Sequence, residues 1–121
     1  MIPTEPAYLV GTGGAIGAVC RYLAGSLLTQ RIGSPPFPVA TLVVNVVGSF
    51  ALGLLLFSGV SDETVLFFGI GACGAFTTYS SFSVQTVRLW EGGRRGYAVA
   101  NAVGNFLLSA GAVGLAWLLV G

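Results

Sequence analysis

Four long apolar stretches, with very little between them, decide what this chain can fold into. They lie at about residues 7–30, 39–58, 64–90 and 97–120 of a 121-residue sequence. A helix crosses the hydrocarbon core of a bilayer with about 20 mostly apolar residues. Each stretch is long enough. In lipid every backbone N–H and C=O must be satisfied internally, which favours helices over open strands. The expected architecture is one all-α membrane domain over residues 1–121 with four transmembrane helices. The connections leave no room for a soluble domain and show no low-complexity linker.

The charge pattern agrees. Charged residues make up 7% of the chain, against about 25% in soluble domains. The five cations are all Arg, His is absent, and the net charge is +1. No basic patch for nucleic acid exists. Met1 to Ala7 holds no basic residue, so the first stretch reads as a retained span rather than a cleaved leader. Arg31, Arg94 and Arg95 fall in the odd connections, with Arg88 close by, and the opposite side holds no Lys or Arg. The positive-inside rule places the odd connections in the cytoplasm and both termini outside.

The ends of the stretches carry ordinary punctuation. Gly33-Ser34-Pro35-Pro36-Phe37-Pro38 cannot continue a helix. Ser61 is the expected N-cap of the third stretch, followed by Asp62 and Glu63 in the first turn. Gly13 and Gly17 form a step suited to close helix contact. Cys20 and Cys73 sit in apolar runs and are expected as buried free thiols.

Polar residues inside the stretches carry the functional signal, because each costs free energy in lipid. Thr41, Asn45 and Ser49 recur every four residues and share one helical face. Asn101, Asn105 and Ser109 repeat the pattern in the fourth stretch. Such columns either staple helices together or line a polar pathway. No acid lies well inside a span. Arg21 does, and it either snorkels or raises the anion concentration in an aqueous vestibule. Neutral donors plus one Arg suit an anion better than a cation.

The third stretch is densest. Gly69, Gly71 and Gly74 precede Thr77, Thr78, Tyr79, Ser80, Ser81 and Ser83. Glycine and hydroxyl side chains favour a local break in helical bonding. A helix broken near its middle frees backbone carbonyls, such as those of Gly74 and Thr77, which then suit a cation. Tyr79 and Phe82 share a face and offer ring edges, the positive part of an aromatic quadrupole. Gly69-x-Gly71-x-x-Gly74 matches the dinucleotide fingerprint in form only, because no strand is expected before it.

These residues carry a resemblance. The runs Gly13-Gly14-x-x-Gly17-Ala18-x-x-Arg21-Tyr22, Phe37-Pro38-x-x-Thr41-Leu42-x-x-Asn45-x-x-Gly48-Ser49-Phe50 and Gly71-x-Cys73-Gly74-x-Phe76-Thr77-Thr78-Tyr79-Ser80-Ser81-Phe82-Ser83 are similar, in order and spacing, to the motifs of the Fluc family of fluoride channels, also called CrcB proteins. The resemblance covers all four spans. It implies a subunit that dimerises antiparallel in the plasma membrane and exports fluoride passively, relieving fluoride toxicity. It implies a structural sodium ion at the dimer interface, held by the carbonyls of Gly74 and Thr77. Thr41, Asn45, Ser49, Tyr79, Phe82, Asn101, Asn105 and Ser109 would form the fluoride pathway, with Arg21 in a vestibule. Tyr79 departs from the family's commoner Phe, and Ser81 from its usual Thr. Asn101 and Asn105 stand where some members have Tyr and Ser.

Four other readings are open to test. The one-sided Arg distribution suits half of a heterodimeric channel, inactive alone, since inverted insertion of one product needs balanced charges. A structural membrane subunit would use its polar columns for assembly alone. A small drug-efflux transporter would need an embedded acid, and an enzyme would need a nucleophile, base and orienting group together. Neither set is present in the spans.

Overall fold

The computed structural model describes residues 5–33 and 35–121. Met1–Thr4, part of the N-terminal segment expected to carry no cleaved leader, and Ser34, in the first connection, lie outside the described residues. The described chain is helical throughout, with no strand. Helix α1 spans Pro6–Ile32. Pro6 stands in its first turn, where a missing N–H costs nothing. The helix stops at Gly33, whose φ of +76° admits glycine readily and whose N–H donates to the Thr29 carbonyl at 2.8 Å. Helix α2, Val39–Phe57, begins directly after Pro38.

The third helical run is composite. A short turn, α3 (Asp62–Thr64), is capped by Ser61, whose Oγ accepts from the Thr64 N–H at 3.2 Å. A π-helical segment, Val65–Cys73, follows, and then α4, Gly74–Phe76. The helix breaks at Thr77 and Thr78, both in extended backbone conformation. It resumes as α5, Tyr79–Glu91. The break expected near the middle of the third stretch falls there, within the hydroxyl run. The dinucleotide-like glycines lie in the π segment and α4. Helix α6, Arg95–Val120, completes the chain after a turn through Gly92 and Gly93.

Val39–Phe57, the run Asp62–Glu91 and Arg95–Val120 are each long and apolar enough to cross a membrane. Helix α1 has 27 residues but carries Thr12, Arg21, Ser26, Thr29 and Gln30 along its length. Packing follows small residues. Helix α2 lies most extensively against α6, and α1 against the π segment. A Cβ on Gly13 would collide with the Phe67 carbonyl oxygen, and one on Gly17 with that of Ala72. The Gly13–Gly17 step is therefore a true backbone-to-backbone contact, as its spacing implies. A Cβ on Gly53 would stand 2.8 Å from the Ala116 Cβ. Large apolar side chains point outward instead: Phe106 is 73% exposed and Leu118 72%. That distribution suits a lipid solvent, in which close packing rather than burial of oily side chains joins helices.

The cysteines depart from expectation. Cys20 is exposed and Cys73 only half-buried, both free thiols. Cys20 follows directly on exposed Val19, on the outward side of α1, where an apolar run does not imply burial within the chain.

Candidate functional site

The break in the third helical run is held by one side chain. Asn45 of α2 reaches across to Thr78. Its Oδ1 accepts from the Thr78 N–H at 2.8 Å, and its Nδ2 donates to the Thr78 carbonyl at 3.2 Å. The second Nδ2 hydrogen goes to Asn105 Oδ1 on α6 at 2.9 Å. Asn105 in turn spends both amide hydrogens on Asn101, on its carbonyl and its Oδ1, each at 2.8 Å. Asn101 donates to Thr86 Oγ1 at 2.9 Å, and Thr86 donates to the Phe82 carbonyl at 2.8 Å. A continuous polar chain thus ties α2, the break, α6 and α5 together. Full satisfaction is what lets such a chain exist in a low-dielectric interior.

The break frees backbone carbonyls. In a continuous helix the Gly74 carbonyl would accept from the Thr78 N–H, and the Thr77 carbonyl from the Ser81 N–H. Thr78 gives its N–H to Asn45, and Ser81 gives its own to Thr78 Oγ1 at 3.1 Å. The Thr77 hydroxyl turns back on its helix, 3.0 Å from the Cys73 carbonyl and 3.3 Å from that of Gly74. Thr77 also fits under Gly48, where a Cβ would strike its methyl group.

Two grooves flank this node. One, of about 430 Å³, runs between α2, α4, α5 and α6. It collects Asn45, Ser49, Tyr79, Phe82, Asn105 and Ser109, with Gly74 and Thr77 in its wall. The other, of about 580 Å³, lies between α1 and α2 and holds Arg21, Ser26, Thr29, Gln30, Thr41 and Ser81. Thr78, 7% exposed, lines both. Thr41 therefore lines the groove of Arg21 rather than that of Asn45. Asn101 lines neither groove; it is fully enclosed, at 0% exposure. The rings of Tyr79 and Phe82 lie 5.9 Å apart, tilted by 48°, and Tyr79 is 81% exposed.

The two columns of donors are thus divided in use. The amides satisfy one another and the break. The hydroxyls of Ser49, Ser109 and Tyr79 are not committed in this network, and with the ring edge of Phe82 they are what the groove offers an anion. Thr78 and Thr86 complete the network without having been singled out by the column pattern. The Thr78-x-x-Ser81 spacing, an N-cap signature ahead of α5, is the signal that points to Thr78. Thr86 has no such signal.

The CrcB-like protein (camphor resistance) family model matches residues 8–117, nearly the whole chain. The chain belongs to the CrcB family. Among CrcB relatives, the Haloarcula marismortui protein named fluoride-specific ion channel FluC 2 is 54% identical, over 99% of this chain and 98% of that protein. The Halobacterium salinarum fluoride-specific ion channel FluC 1 is 50% identical, over 95% and 93%. The Thermus thermophilus fluoride-specific ion channel FluC is 42% identical, over 86% of each.

Proposed function

We propose that this CrcB chain is a subunit of a fluoride-selective channel, not an enzyme, that lets fluoride leave the cell passively. The carrying observation is the groove in which Ser49, Ser109, Tyr79 and Phe82 converge beside the broken helix, in a family whose relatives are named fluoride-specific ion channels. Fluoride is small and tightly hydrated. Moving even a carboxylate-sized ion into a medium of low dielectric costs on the order of 20 kcal/mol by the Born estimate. Closely set hydroxyls and ring edges replace its water without a trapping charge, and conduction needs binding that also releases. Arg21, in the wider groove, raises the local anion concentration before dehydration. Asn45, Asn105 and Asn101 hold the pathway in shape.

In this reading α1 also crosses the membrane, giving four spans, and the protein is a multi-pass protein of the cell membrane. It pairs with a second subunit in antiparallel orientation, so that the two breaks meet. The donor set at the break fits a structural sodium ion: the carbonyls of Gly74 and Thr77 are neutral oxygens relieved of their helical partners. Two carbonyls per chain are few for a hard cation, and a second subunit doubles them. When bound, the ion supplies fixed positive charge that ties the two subunits together. A pairing with a sister subunit rather than an identical one is favoured by a specific observation: Arg31, Arg88, Arg94 and Arg95 all cluster at one end of the helices.

The test in cells is rescue of a bacterial strain lacking its own fluoride exporter. Expression of this chain, alone or with a sister subunit, is expected to restore growth in fluoride medium. Failure of well-expressed protein to do so in either form counts against the reading.

A further inference from the structure

The Arg-rich end of the molecule holds another depression, of about 300 Å³, that shares no residue with the two grooves. Pro36 from the first connection, Gln85, Arg88 and Leu89 from α5, and Gly92 and Arg94 from the following turn form its walls. Two guanidinium groups thus border one depression, and no carboxylate among the described residues lines it. Like charges held together raise the free energy, and a shared counter-anion lowers it. Helix α6, 26 residues long, begins directly after Arg94 without a side-chain cap, so the positive end of its dipole lies next to the depression. The buried Gln85 Oε1 finds no hydrogen-bond partner among the described residues. Turned about its last torsion, that amide presents N–H donors instead.

The surroundings fix the depth. The Arg95 guanidinium lies 4.8 Å from the Trp90 ring centroid, and that of Arg94 5.8 Å from the Tyr97 centroid. Trp and Tyr favour the headgroup level of a bilayer. Val84, exposed and one helical turn before Arg88 on α5, offers an apolar surface beside it. We propose that this depression binds the phosphate of an anionic phospholipid headgroup, with Arg88 and Arg94 as its paired cations. Arg forks suit phosphate oxygens in bidentate geometry. Free phosphate shares that chemistry, but it gains nothing from Val84 or the aromatic belt.

The test reads lipid rather than fluoride, so its outcome is independent of the channel reading. Purified chain in neutral detergent is titrated with phosphatidylglycerol, and the thermal midpoint is followed. Phosphatidylcholine and millimolar inorganic phosphate form separate arms. Phosphatidylglycerol is expected to raise the midpoint and the other two to leave it unchanged. Arg88→Gln with Arg94→Gln should weaken the apparent lipid affinity about tenfold or more. Arg31→Gln, which removes charge from the same end but not from the depression, should change it less than about threefold. Arg88→Lys with Arg94→Lys keeps the charge and the fold, and should fall between. Equal weakening by Arg31→Gln and the double Gln variant would overturn the site in favour of a diffuse surface field. A midpoint shift with inorganic phosphate alone would overturn the lipid assignment.

Discussion

Asn45→Ala removes the partners of the Thr78 N–H and of the Thr78 carbonyl and leaves Asn105 Oδ1 without a donor. Each buried polar group so orphaned costs about 1–3 kcal/mol. The expected result is a marked fall in the thermal midpoint together with loss of fluoride flux. Ser109→Ala makes the opposite separation. Its hydroxyl lines the groove outside the amide network, so stability should move by less than about 0.5 kcal/mol while flux falls. Comparing melts and flux for the two variants tests the division of labour; identical profiles would contradict it. Tyr79→Phe removes the hydroxyl of an exposed ring and keeps the ring edge. Stability should again change by under about 0.5 kcal/mol, with fluoride permeation altered in rate but retained. Tyr79→Ile removes the edge as well and should lower permeation further. Equal permeation in both would deny the ring edge a role. The column spacing alone does not distinguish these duties. Residues four apart share a face whether their side chains bond each other, as Asn101 and Asn105 do, or open to a groove, as Ser49 and Ser109 do.

Among the elements, the joint between α1 and the π segment is the tightest. Gly17→Val drives side-chain atoms into the Ala72 backbone. Overpacking of this kind costs about 1–3 kcal/mol, and here the obstacle is backbone with little freedom to yield. Gly14→Ala, one turn position away, meets only the Gly71 carbonyl oxygen at 3.8 Å and the Ala75 Cβ at 3.9 Å, ordinary contacts. The first variant should fail to give a monodisperse protein in detergent, and the second should behave as the wild type; the same elution profile for both would place the contact elsewhere. This joint was legible, because a Gly-x-x-x-Gly step has few uses other than close approach. So was a break within the third stretch. The peptide at which it breaks was not, since that depends on Asn45, 33 residues away along the chain. The π-helical geometry of Val65–Cys73 was not legible either. Its apolar composition suits any helix, and the wider turn matches where its carbonyls meet Gly13 and Gly17. The exposure of Cys20 escaped for a related reason: an apolar run faces lipid or protein equally well.

For the whole molecule, the placement of charge makes a further prediction. All Arg residues except Arg21 gather at one end of the helices, where Phe37 of the first connection meets Tyr97 of α6 with ring centroids 5.9 Å apart. Tagged termini should therefore be accessible from one face of the membrane only when this chain is expressed alone. Labelling from both faces would mean dual insertion and an identical pair. The central claim is selective fluoride conduction, and its most direct measurement is efflux from liposomes. Purified chain, with its sister subunit where pairing requires one, is reconstituted into vesicles loaded with fluoride or chloride, and each ion is followed with its own electrode. Rapid fluoride efflux with chloride retained is the expected result. Equal loss of both ions, or retention of fluoride by folded and reconstituted protein, would contradict it.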